Sequence, residues 1–403
     1  MFRNEFPILT KKVNGNQLVY FDNGATSQTP QSVINSIVKY YSTQNSNVHR
    51  GAHFLSQQAT TLFENARATI AEHFQVKLSE CIFTRGTTNG INMLARGIEH
   101  TIKPGDEIIV SCVEHHSNFV VYQELAKHTG AVLKIVPLTQ TQEFDYIAFE
   151  NLVSEKTKII ALPLISNVLG EKLNTQKIKQ VARYYEDAYL FYDAAQIVGH
   201  EQIDFKTLGC HALTFSAHKC YGPTGVGAII AQEKFIKTMK PYEYGGGMIE
   251  EVTFNQSTYQ TNYHKFEAGT PDICGAIAFS KAIEFIEGAN LKSIQNHEQQ
   301  LIEHFFKKAH TVEGLQLYGT TNSSKKGPIF AFTYKNYNCY DVATLLDMRG
   351  IALREGAHCA QPLLEVLGVQ STLRVSFAMY NTIDEIDYFF ESLEIVDQML
   401  HRG

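Results

Sequence analysis

The chain has 403 residues, 44% of them hydrophobic, with 35 Lys and Arg against 41 Asp and Glu, a formal charge of −6. That length exceeds a single small core and predicts a large domain with a smaller companion. The mild negative charge argues against nucleic acid or an anionic membrane as partner and points to a small-molecule substrate.

The opening residues, MFRNEFPILTKKVNG, lack a continuous apolar core of signal-peptide length. From residue 80 onward, short apolar runs alternate with longer amphipathic stretches. ECIFT (80–84) leads through a glycine turn into GINMLARGIEHTI, DEIIVS (106–111) leads into NFVVYQELAKHTG, and VLKIVPL follows. TKIIALPLIS, AYLFYDAAQ, HALTFSA and VGAIIA continue the series. The most apolar of these, at 158–166, is too short and too proline-interrupted to span a membrane. Strand, helix, strand in this order predicts an α/β fold with a mainly parallel sheet covered by helices on both faces. From residue 276 the texture changes to a long helical pattern, GAIAFSKAIEFIEGANLKSIQNHEQQLIEHFFKKAH, followed by mixed strands and helices. The expected division is a large domain over 20–275 and a smaller α/β domain from 1–19 and 276–403. Seven cysteines lie scattered, without a CxxC pair or a Cys/His cluster of zinc-site spacing. A cytosolic protein with reduced thiols, no disulfide framework and no structural metal is expected.

Three stretches carry chemistry. In RGTTNGIN a strand runs into Gly86-Thr87-Thr88 and then a helix, which presents backbone N–H groups and hydroxyls to an anion. Alone, such a turn is equally an ordinary helix start. In LFYDAAQ, Asp193 and Gln196 close an apolar strand, and a carboxylate there needs a cation or a donor. It either caps a helix or keeps a pyridinium nitrogen protonated. In FSAHKCYGPTGVG, Lys219 ends another apolar strand, where burial lowers its pKa and suits it to imine formation. Ser216 and His218 flank it and can reach the same anion as the GTT turn. The grouping fits one aldehyde cofactor, pyridoxal 5′-phosphate (PLP). Cys220 follows Lys219 and would point the opposite way on an extended backbone.

Further motifs sit in order along the chain: VYFDNGATSQTP (19–30), VHRGAHFLS, EHHSN, SNVLG, YGGGMI, FEAGTPD, HCAQPLL and RVSFAMYNT (374–382). With them the chain resembles the PLP-dependent cysteine desulfurases of aminotransferase class V, and among these the SUF-system branch that includes selenocysteine lyases. The resemblance implies the type I fold of PLP enzymes, with a mainly parallel seven-stranded sheet in the large domain. It implies that Lys219 forms the Schiff base, that His115 stacks on the ring and handles protons, and that Cys220 is a bystander. Asp193 would pair with the pyridine nitrogen and Gln196 with the phenolate oxygen. Thr87, Thr88, Ser216 and His218 would hold the phosphate, joined by Thr270 from a neighbouring subunit, which implies a homodimer. Asn167, Arg374 and Arg354 would hold the substrate carboxylate. Cys359 would take the sulfur of L-cysteine as a persulfide, leaving L-alanine, and His358 beside it would favour the thiolate.

The chain departs from the family pattern at Ala217, Glu355 and Ala357, where glycine, a small or hydroxyl residue and a polar residue are common. Glu355 would pair with Arg354 and weaken its help in binding a carboxylate. The short loop around Cys359 implies that sulfur leaves through a dedicated acceptor protein, toward iron–sulfur cluster assembly. Rival readings are a selenocysteine lyase, a class V epimerase or kynureninase-like enzyme, and a silent PLP-binding scaffold. Retention of Lys219 and Asp193 argues against the last.

Overall fold

The computed structural model describes residues 2–185 and 187–401. All seven apolar runs become strands of one sheet, in the spatial order Cys81–Thr84, Gly227–Ala231, Ala212–Ser216, Tyr189–Asp193, Thr157–Pro163, Glu107–Ser111, Val132–Val136. Gly227–Ala231 runs antiparallel to both its neighbours, and every other pairing is parallel. The alternation of side chains decides how the sheet is covered. Ile108, Val110, Ile159, Ala161 and Phe191 join one apolar cluster, while Ile109, Ile160, Leu162, Leu190 and Tyr192 join another. A period of two with both faces apolar requires helices on both sides. Thr87–Ile98 and His116–Thr129 supply one layer, Phe54–His73 and Ile273–Gly288 the other.

The long helical pattern after residue 276 divides into two helices, Ile273–Gly288 and Leu291–Ala309. The break is Asn290, whose backbone takes φ +61° and whose side chain accepts the Lys292 N–H at 3.1 Å. Asparagine tolerates the left-handed region because its short amide bonds locally, so an apolar periodicity that reads straight through is interrupted.

A second sheet, wholly antiparallel, has the order Leu315–Tyr318, Ile329–Tyr334, Thr372–Ser376, Arg354–Gly356. Leu301 and Phe305 of one helix and Phe389 of Ile383–His401 pack on its Phe330 and Phe332. Val19 and Phe21 join this cluster, and Val19–Tyr20 pairs in parallel with Ile351–Ala352. The N-terminal segment thus runs along the small sheet, where Asp22 bridges to Ser376. Asp22, Arg354 and Arg374 are thereby brought against the carboxyl ends of the large sheet's strands, the usual place for a site in such folds. Among the described residues no helix is long and apolar enough to cross a membrane, and no cluster of side chains has the makings of a metal site.

Candidate active site

A cavity of about 220 Å³ opens between the two sheets, and every residue expected to form a site lines it except Thr270. Thr270 is exposed and lines two other clefts.

The inner wall is built for an anion. Gly86 takes φ +129° and ψ 178°, a conformation essentially restricted to glycine. A Cβ there would also lie 3.0 Å from Ser216 Oγ. The helix that starts at Thr87 has no side-chain cap, leaving part of its N-terminal N–H array free. The Thr87 N–H donates to Ser216 Oγ at 2.7 Å, and the two hydroxyls are 2.8 Å apart. Thr88 Oγ1 lies 2.6 Å from Ser117 Oγ. Ser117, within the EHHSN motif, was not singled out from sequence, although its motif was.

Lys219 stands in the turn after Ala212–Ser216. Burial brings its amine down to about 8, against the opposing pull of Asp193 and with help from Arg374. Asp193 closes its strand and accepts the Ala195 N–H at 2.9 Å. Burial raises its carboxyl, while that hydrogen bond and Lys219 oppose the rise. His115 caps the His116–Thr129 helix, its Nδ1 accepting the Ser117 N–H at 3.0 Å. Burial, then the charge of Lys219, lowers it to about 3, so the ring is neutral at pH 7 and carries its proton on Nε2. His218 is lowered to about 4 by the same two causes. Gln196 Nε2 donates to the Gly24 carbonyl at 2.8 Å, which fixes its amide and leaves one N–H over. Cys220 is buried under the turn, its thiol directed at the Ser216 and Ala217 carbonyls and its pKa raised by burial. It does not line the cavity.

At the outer end Arg374 is 2% exposed. Its Nη1 donates to the Asn167 carbonyl at 2.9 Å and its Nη2 to Asp22 Oδ1 at 3.1 Å. Arg354 reaches the other oxygen of Asp22, with Nη1 3.8 Å from Oδ2. The expected pairing of Glu355 with Arg354 does not occur. Neighbours on a strand face opposite ways, and the arginine turns to Asp22 instead. Asp22 was overlooked in the sequence, although VYFDN ends an apolar run with an aspartate just as LFYD does.

The loop bearing Cys359 is strained and tied down. Gly356, His358 and Cys359 have φ of +110°, +51° and +55°. Two consecutive non-glycine residues in the left-handed region cost roughly 1–3 kcal/mol each and persist only where surroundings enforce them. Here Asn167 Nδ2 donates to the His358 carbonyl, and the His116 N–H donates to the Cys359 carbonyl, both at 2.8 Å. The His358 ring lies 2.9 Å from Thr372 Oγ1, and burial, then Arg374, lowers it to about 3. His358 is therefore a neutral strut rather than a cation beside the thiol, which corrects the expectation from adjacency. Of the seven free cysteines, Cys359 alone is exposed.

The residues fit PLP. An uncapped helix start and three hydroxyls suit a phosphate, a buried lysine of lowered pKa suits an aldehyde, and a buried carboxylate lies on the lysine's side of the cavity.

The aminotransferase class-V profile matches residues 19–389. A probable cysteine desulfurase of Staphylococcus epidermidis is 41% identical over 392 residues, covering 97% of this chain and 94% of that one. Another, from Halalkalibacterium halodurans, is 41% identical over 391 residues, covering 96% and 95%. Among solved structures, the apo cysteine desulfurase of Thermococcus onnurineus NA1 superposes with a TM-score of 0.93 at 34% identity, covering 98% of this chain and 97% of that one. The cysteine desulfurase CsdA of Escherichia coli gives 0.90 at 33%, covering 99% and 98%.

Proposed function

The chain belongs to the aminotransferase class-V family, and from that premise we propose that it is a PLP-dependent cysteine desulfurase in which Cys359 receives the sulfur. The observation that carries this reading is the presentation of the one exposed thiol into the cavity that Lys219 and Arg374 also line. L-Cysteine and the Cys359 thiol give L-alanine and a Cys359 persulfide. The carbon–sulfur bond breaks with its electron pair left on carbon, which is protonated, and sulfur joins the thiolate. No external oxidant or reductant is needed.

Thr87, Thr88, Ser216 and His218 would hold the phosphate of PLP, Asp193 its ring nitrogen, Gln196 its phenolate oxygen and Lys219 its aldehyde. PLP, when bound, supplies an electrophilic carbon for amines and a ring that takes up the electrons left at Cα. Lys219, with an amine near pKa 8, can hold or release a proton at neutral pH. Neutral His115 can donate from Nε2 toward the substrate's sulfur or accept there once that proton has gone. Arg374, held by Asn167 and Asp22, presents a fixed planar fork to the substrate carboxylate. Asn167 also braces the Cys359 loop, so the carboxylate anchor and the nucleophile share one support.

The reading extends to a homodimer, with Thr270 completing the partner's phosphate site, and to the SUF-type branch with a protein acceptor serving iron–sulfur cluster assembly. A reducing cytosol goes with it, because Cys359 must be a free thiol.

Cys359→Ser decides the matter. The substitution is nearly isosteric, and a hydroxyl cannot take sulfur. Alanine formation from cysteine should fall at least 100-fold, with PLP still bound at full occupancy, while selenocysteine is still processed. Cys220→Ser should change turnover less than about twofold. An unaltered rate in Cys359→Ser refutes the assignment.

A further inference from the structure

Two guanidinium groups, Arg354 and Arg374, line the substrate end of the cavity, yet a cysteine substrate brings one carboxylate. We infer that Asp22 is a specificity-determining and positioning residue. It neutralises one of the two arginine charges from behind, so that the site accepts amino acids with a single carboxylate and rejects dicarboxylates. The inference rests on the proposed reaction and goes beyond it to the choice of substrate.

The geometry is that of a shared counter-ion. Asp22 Oδ1 lies 3.1 Å from Arg374 Nη2, and Oδ2 lies 3.8 Å from Arg354 Nη1. Asp22 does not itself line the cavity. Its backbone is held by the bridge to Ser376, on the same strand as Arg374, which keeps Asp22 beside that arginine. Buried Arg374 has its Nη1 and Nη2 engaged by the protein, while its buried Nε has no partner. A buried N–H of this kind is costly until an acceptor arrives.

The histidines at this end do not alter the count. His115 and His358, lowered to about 3, and His218, lowered to about 4, are neutral at pH 7. Asp193 and Lys219 influence each other at the cofactor end, and Lys219 also favours the ionised form of Asp22. Two guanidinium charges less one carboxylate leave a single positive charge, matched by one substrate carboxylate. A second carboxylate would exceed the net charge left at this end, because Asp22 already offsets one of the two guanidinium groups, and unfavourable charge placement is an effective means of rejection.

The test is calorimetric titration of the PLP-loaded enzyme with L-alanine and with L-aspartate, which differ by one carboxylate. In Asp22→Asn the affinity for aspartate relative to alanine should rise at least tenfold, equivalent to about 1.4 kcal/mol. Asp22→Glu, which keeps the charge, should retain the wild-type preference. In turnover of cysteine, Asp22→Asn should move KM more than kcat. A merely structural role would lower the melting temperature of both variants and leave the ratio unchanged, and that result overturns the inference. So does Asp22→Glu discriminating no better than Asp22→Asn. Wild-type enzyme that binds neither amino acid overturns the underlying desulfurase reading as well; binding of alanine with a fixed ratio removes only the role of Asp22.

Discussion

Lys219 and His358 show how far the surroundings of a side chain override its ordinary chemistry. The lysine amine has a folded pKa of about 8 against the usual 10.5, because burial disfavours its charge more than Asp193 restores it. The sign of the stability effect follows. Below about pH 8 the lysine is protonated in both folded and unfolded chains, and the folded state bears the full cost of a buried charge. Between about 8 and 10.5 the unfolded chain binds more protons, so stability rises with pH until the cost is gone. In PLP-free protein, Lys219→Met should therefore melt higher than wild type at about pH 7, and the gap should close by about pH 10.5. A gap independent of pH contradicts the lowered value. That Lys219, Asp193 and the GTT turn belong together was legible from their own motifs, and His115, Asn167, Cys359 and Arg374 joined them only through the family resemblance, while Asp22 and Ser117 went unread. The direction a side chain takes was not. Nothing in REGAHC reveals that His358 leans on Thr372, or that Arg354 prefers Asp22 to its neighbour Glu355. Those choices depend on strands that meet only in the folded chain.

Among the elements, the turn from the Cys81–Thr84 strand into the Thr87–Ile98 helix bears most directly on the proposed phosphate site. Gly86→Ala would put a Cβ into a glycine-only conformation and 3.0 Å from Ser216 Oγ. The strain alone is about 1–3 kcal/mol. PLP affinity should fall at least tenfold, measured by fluorescence titration of the cofactor-free protein, with the melting temperature lowered by several degrees. Retention of full affinity would show that this turn does not cradle the phosphate. The seven strands of the large sheet were legible because a doubly covered sheet demands continuous apolar runs, and these stand out against amphipathic helices. The division of the 273–309 stretch was not, since the apolar spacing continues through a break made by one asparagine's backbone.

At the scale of the whole molecule, we propose a division between a large unit around the seven-stranded sheet and a smaller one around the antiparallel sheet. The helix Ile273–Gly288 packs on Gln31–Thr43 and Phe54–His73, which favours placing the divide just after Gly288. Thr270 stands exposed outside its own chain's cavity, and the proposed dimer gives it a place in the partner's site. Light scattering should give a dimer. Hybrids of a Lys219→Ala protomer with a Thr270→Ala protomer should regain one tight PLP site, because the surviving Lys219 would be completed by the other chain's intact threonine. Hybrids no better than the Thr270→Ala homodimer would place each phosphate site within one chain.

The pinned loop around Cys359 sets a limit on travel. With the carbonyls of residues 358 and 359 both held and His358 buried, the main travel left to the sulfur is rotation about its Cα–Cβ bond, a sweep on the order of 3 Å. A tether of ten free residues would reach roughly 30 Å and could carry cargo from the cavity to a distant docking site. This thiol works as a fixed loading dock rather than a crane. If Cys359 carries sulfur as proposed, the group that takes it must bring its own reactive atom to the cavity that Cys359 lines.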